Sequence, residues 1–183
     1  MRKIAFFAAV GLLCGTSLMA ESYVVDAGHS SVGFGVKHMS VSNVKGNFNK
    51  FSGTLDVEGK EIKALEGEVQ IASINTNSDA RDKHLNAADF FDAKKFPKAT
   101  LKAIKHNKKK LDAEITIRDV TKKVSFDVEL NGPVKHPKTG KDVIALTLEG
   151  KLNRKDFGVG NDTANAMVSD NVDVKIELEA TQK

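Results

Sequence analysis

The sequence predicts an all-β protein in which an antiparallel sheet of about eight strands closes into a barrel, with one short helix between strands. Apolar and polar residues alternate with period two in runs from residue 23 to residue 180, the pattern of strands with one buried and one solvated face. Turn-rich pieces such as "EGKE" and "NGPVKHPKTGK" separate the runs, and only the segment 73–91 changes to helical spacing. One short helix cannot cover a large open sheet, so the sheet must curl to bury its own apolar face.

Residues 1–20 stand apart from this pattern. Arg2 and Lys3 precede the apolar run 4–13, and small and polar residues lead to Ala20; this is a cleavable secretory signal peptide with the cut expected after Ala20. Cys14 does not make a lipoprotein signal, because Leu13 stands where lipid attachment prefers a small residue, and the run is short for a membrane anchor. The single cysteine leaves with the signal, so the mature chain, 21–183, has no thiol chemistry and depends on packing. About 160 residues suffice for one domain with its own core.

Residues 23–25 open the sheet, followed by Val32, Phe34, Val36 and His38 in one phase against Ser31, Gly33, Gly35 and Lys37. Shorter strands are expected at 44–48 and 54–57, and Leu65, Gly67, Val69 and Ile71 then alternate with Glu66, Glu68 and Gln70. After the helix come 99–104, then Leu111, Ala113, Ile115 and Ile117, then Val124, Phe126, Val128 and Leu130. Ile144, Leu146 and Leu148 follow, and Val172, Val174, Ile176, Leu178 and Ala180 complete the barrel. Inward glycines (Gly33 or Gly35, Gly46, Gly67 and Gly150) mark bends or close approach by another group. A barrel of this size is either filled by side chains or holds one small ligand.

Within 73–91, Asp79 is the expected N-cap with Asp82 three residues on, and Arg81, His84, Leu85, Ala88 and Phe91 form one stripe. A stripe that faces a core would not normally carry an arginine and a histidine, and cations near a helix start oppose the dipole. These two side chains call for a specific partner.

The formal charge of +4 falls to about +2 without Arg2 and Lys3. The basic run "KHNKKK" at 105–110 is a solvated hairpin tip, and membrane contact is transient at most. Nucleic acid is excluded as a partner, since there is no broad basic face with interleaved aromatics, no tryptophan and only one tyrosine.

The stretches "YVVDAGHSSVGFGVKHMSVSNVKGNFNKFSGTL", "SINTNSDARDKHLNAADFFDAKKFP", "ITIRDVTKKV" and "LNRKDFGV", in that order, resemble the YceI-like family over nearly the whole mature chain. Asn75, Asp119 and the sequence "SDNVDVKIELEA" depart from the family's usual residues, and these departures concern turns. The resemblance implies a lipocalin-like antiparallel barrel in the periplasm that holds a polyisoprenoid or another long-chain amphiphile, with no known reaction and no cofactor, and it favours a homodimer. A lipid of that kind needs polar groups for its head and an apolar tunnel for its tail. Arg81, His84, His38 and Asp82 are the head-group candidates; Phe34, Val36, Phe48, Leu85, Phe90, Phe91, Ile115, Ile117, Phe126 and Phe157 are the tail candidates.

A structural assignment stands beside this one: Arg81 bridges helix and barrel through backbone carbonyls or Asp156, Arg154 pairs with Asp156, and His29 fixes a turn. The alternative function is a hydrolase of a lipid-linked substrate, with His38 or His84 as base, Asp82 as its orienter and Ser30 or Ser31 as nucleophile. No nucleophile elbow or HExxH motif supports a catalytic or metal centre, and neither is assigned. A barrel packed solid, acting only by contact, is the remaining reading.

Overall fold

The computed structural model describes residues 19–183. The signal-peptide features, Cys14 included, lie outside the described residues. The strands are β1 (Glu21–His38), β2 (Ser42–Phe48), β3 (Phe51–Glu58), β4 (Glu61–Gln70), β5 (Ile74–Asn75), β6 (Lys98–Asn107), β7 (Lys110–Ile117), β8 (Val120–Lys135), β9 (Asp142–Asn153) and β10 (Val168–Gln182), and the helix is α1 (Asp79–Leu85). Eight of them close an antiparallel barrel in the order β10-β9-β8-β7-β6-β4-β3-β1, with β1 returning to β10; β2 and β5 extend the wall beyond β1. The expected closed barrel with one short helix is therefore found.

The segments expected at 23–25 and 32–38 are one strand. A bulge between Asp26 and Ser31 shifts the register against β10, and local polar groups replace the missing ladder bonds. Ser30 Oγ donates to Asp26 O (2.6 Å) and accepts from Glu179 N (2.9 Å), while Asp26 Oδ1 accepts from Gly28 N (2.8 Å). His29 Nδ1 meets Asp26 Oδ2 at 2.9 Å; that bond and the nearby Glu179 raise the imidazole pKa, and the same bond lowers that of Asp26. Below this bulge β1 pairs with β3, and above it with β2.

Three other expectations are corrected. The helix stops at Leu85 with Ser78, rather than Asp79, at its N-cap, and none of its residues is buried. Asn86 ends it: its Nδ2 donates to the Asp82 carbonyl at 2.9 Å, and turns then carry Phe90 into the core. Ile71 belongs to a 3-10 turn after β4, and β8 runs on to Lys135 through a bulge at Gly132 and Pro133, where a residue without an N–H is tolerated.

Antiparallel connection places alternate turns at opposite ends. One end holds the turns after β3, β6 and β8, including the "KHNKKK" tip, and its interior is packed: Tyr23, Leu55, Leu65, Leu111, Ala113, Leu146 and Leu148 are all 2% exposed or less. Tyr23 Oη donates to Glu21 Oε2 (2.8 Å), and burial first, then Glu21, pushes the phenol up to about 12. The neutral phenol is favoured in the fold, so its stabilisation is full below about pH 10, where an unfolded tyrosine ionises, and is lost as pH rises towards about 12. With one tyrosine and no tryptophan in the chain, ultraviolet absorbance should show no phenolate in the folded protein at about pH 10; a full titration there without unfolding would contradict this.

Gly46, Gly67 and Gly150 lie on inward-facing positions, whereas Gly33 and Gly35 stand opposite Lys175 and Asp173 on the outer face. A side chain at Gly150 would come within 2.6 Å of the Phe126 ring, and one at Gly46 would strike Phe34 and come within 2.8 Å of Thr76 Cγ2. These two glycines make room for aromatic rings inside the barrel.

Candidate ligand-binding site

The other end is hollow. A chamber of about 650 Å³ opens under α1 and the loop 158–167, within the roughly 300–1,000 Å³ typical of ligand pockets. An inner pocket of about 130 Å³ lies deeper in the barrel, and Phe34, Phe48, Ala99, Ile117, Leu152 and Val174 line both spaces. The barrel is thus neither packed solid nor open throughout, and an apolar cleft leads from the rim to the packed end.

The segment 76–97 creates this opening. The strand path ends at Asn75, whose Oδ1 accepts from Asn77 N, and the chain leaves the sheet until β6. Its ends are tied where Ile71 N donates to Pro97 O at 2.9 Å. The helical stripe therefore faces a cavity rather than a core: Arg81, His84 and Leu85 all line the chamber.

Arg81 donates from Nε to Thr76 Oγ1 and from Nη2 to Thr76 O, both at 2.7 Å. Both acceptors belong to Thr76, in the loop just ahead of the helix rather than on a barrel strand, and Asp156 takes no part. Asp82 is not a lining residue; its Oδ1 accepts from Thr76 N (2.9 Å) and Thr76 Oγ1 (2.5 Å). The buried Thr76 hydroxyl thus links the arginine to the aspartate, fixing the guanidinium at the rim while its charge stays near solvent. His84 is 60% exposed and bonds Asp89 Oδ2 at 2.9 Å, which lowers the Asp89 pKa; its ring meets Phe90 edge-on at 4.8 Å. His38 lines the chamber beside Val36, as its parity predicts.

Of the tail candidates, Phe34, Val36, Phe48, Leu85, Phe90, Phe91, Ile117 and Phe157 line the chamber. Ile115 and Phe126 lie deeper, on the inner pocket. Phe34, Phe48 and Phe91 form an aromatic run with centroids 5.9 and 6.2 Å apart.

Arg154 was expected to pair with Asp156 and instead binds Asp170 Oδ1 at 2.8 Å. It is 5% exposed and also donates to the carbonyls of Val159, Gly160, Thr163, Val168 and Ser169. Fully engaged, it fastens the loop over the chamber and has little capacity left for a ligand. Arg118, which sequence reasoning missed, joins the two rim segments by donating to Phe90 O (2.9 Å) and Gly158 O (2.6 Å). Thr76, Asp162, Thr163 and Met167 were also missed at the rim, being loop residues without periodicity.

The hydrolytic arrangement is not assembled. Ser30 and Ser31 bond the bulge and Glu177, and the carboxylate on His84 is Asp89 rather than Asp82. Among the described residues, Asp26, His29 and Glu179 converge within 4.8 Å on the outer wall, where they brace the β1 bulge.

A family model described as a YceI-like domain matches residues 23–180. A UPF0312 protein of Staphylococcus aureus is 35% identical over 165 residues, covering 87% of this chain and 95% of its own. The solved YCEI protein of Campylobacter jejuni superposes with a TM-score of 0.74 at 38% identity, covering 80% of this chain and 90% of that one. A polyisoprenoid binding domain from Saccharophagus degradans, implicated in plant cell wall breakdown, superposes with a TM-score of 0.67 at 14% identity, covering 89% and 99%; that likeness is one of fold.

Proposed function

The chain belongs to the YceI-like family, and on that premise we propose that it is a binding protein for a polyisoprenoid or another long-chain amphiphilic lipid. The observation that carries this reading is the chamber of about 650 Å³, walled by phenylalanine, leucine, isoleucine and valine and bearing its polar side chains on the rim segments. The name of the Saccharophagus domain supports the same ligand class. The tail occupies the chamber and inner pocket, and the head stays at the rim near Arg81, His84 and His38. We place the protein in the periplasm, after removal of residues 1–20, where it carries, stores or sequesters its lipid without chemically changing it.

Each buried methylene contributes roughly 0.8 kcal/mol, so a tail of about twenty carbons outweighs one charge-assisted hydrogen bond of roughly 1.5–3 kcal/mol even after ordering costs. Binding of a series of prenols and fatty alcohols should therefore tighten with tail length until the cavity is filled. Arg81→Ala should remain folded and weaken binding of anionic amphiphiles about tenfold, with neutral alcohols of equal tail unaffected. Affinity independent of tail length would sink the proposal, and unfolding of Arg81→Ala would give that residue a structural role only.

A further inference from the structure

Six lysines on the barrel wall are matched to carboxylates: Lys98 with Glu68, Lys102 with Glu66, Lys110 with Asp127, Lys123 with Asp112, Lys151 with Asp173 and Lys175 with Glu149. Lys37 and Lys45 flank the β1–β2 turn at the mouth, both are exposed, and among the described residues neither has a carboxylate in ion-pair range. No acidic residue occurs from Lys37 to Lys50.

Between those lysines the turn presents Met39 (54% exposed) and Val41 (86%) to solvent. Met167, 49% exposed, joins them from the loop 158–167, fixed there by the bond from Met39 N to Met167 O at 2.9 Å. Met167 is also a wall of the chamber, so the exposed apolar cluster is continuous with the cavity entrance. Single exposed apolar residues are ordinary on any surface, but three brought together by two loops mark a contact surface.

We propose that this rim docks on an anionic lipid bilayer, with Met39, Val41 and Met167 entering the interface and Lys37 and Lys45 lying at the phosphate level. The inference rests on the lipid-binding reading, because a ligand that resides in a bilayer must cross from the membrane into the chamber without exposing its tail to water. An apolar cluster with basic flanks fits a negatively charged surface through both burial and charge. The "KHNKKK" tip lies at the packed end, where docking would leave the cavity mouth facing away from the membrane.

The chain contains no tryptophan, so Val41→Trp supplies a single fluorescent reporter, and Val134→Trp, at a 63% exposed site on β8, supplies a control. Vesicles of phosphatidylethanolamine with phosphatidylglycerol should shift the emission of Val41→Trp to the blue and leave Val134→Trp unchanged. Adding Lys37→Gln and Lys45→Gln should weaken vesicle binding about tenfold or more. Docking is overturned if Val41→Trp does not shift or if both reporters shift alike. It is equally overturned if the shift occurs without vesicles as protein concentration rises, which would mean a second copy covers the rim. Uptake of farnesol from aqueous solution, measured in parallel, separates the two readings: uptake without a vesicle shift removes docking alone, and a vesicle shift without uptake removes the lipid-holding reading alone.

Discussion

Arg154→Leu is expected to cost about 3–5 kcal/mol of stability and to release the loop that roofs the chamber, because it breaks a buried ion pair and leaves its partners unpaired. The side chain of Arg154 is 5% exposed and holds Asp170 together with five backbone carbonyls between Val159 and Ser169. Leucine fills part of the space and satisfies none of them. Lysine keeps the charge, but its compact ammonium cannot span the same set, so Arg154→Lys should also be destabilised. Asp170→Asn retains the five carbonyl contacts and should cost only about 1–2 kcal/mol. Denaturant unfolding measures these differences, and hydrogen exchange should locate the loss of protection at 158–168. An Arg154→Leu protein within about 1 kcal/mol of the parent would show that the loop is held by other means.

Ala99→Phe should strongly weaken binding of long tails while leaving the barrel folded. Ala99 lines both the chamber and the inner pocket and lies on β6 opposite Val69, so a phenyl ring there fills the passage between them. Adding bulk to a packed core costs roughly 1–3 kcal/mol, but here the ring enters empty space, and the denaturant midpoint should hold or rise. Affinity for lipids longer than the outer chamber should fall about tenfold or more, with short amphiphiles retained. Unchanged long-tail binding would place the tail somewhere other than this passage.

Much of the barrel is legible in the sequence because strand parity is a local property. The phase of Val32, Phe34 and Val36 correctly carries His38 to the cavity side, and the inward glycines at 46 and 150 match bulky neighbours across the sheet. Parity does not distinguish a packed interior from an empty one. Phe126 and Phe34 alternate in the same manner, yet the first is fully buried on Gly150 and the second walls a chamber.

The helical stripe misled for a related reason. Its periodicity signals an apolar face, and here that face borders a void, so Arg81 and His84 can occupy it without burial. The partners of Arg154 were unreadable because Asp170 lies across a loop whose path is set by tertiary contacts, whereas the nearby Asp156 faces solvent. Arg118 shows the same limit, since it joins the Phe90 and Gly158 segments that approach one another only once the barrel has closed; the Thr76 contacts are local, to Arg81 and Asp82, but come from a loop without periodicity to mark them.

Whether the chamber holds a long-chain lipid is decided by native mass spectrometry of the protein prepared gently from a periplasmic extract, followed by solvent extraction and identification of the released compound. A stoichiometric long-chain isoprenoid or fatty amphiphile is expected. A clean unliganded mass, with no rebinding of isoprenoids or fatty amphiphiles, would contradict it.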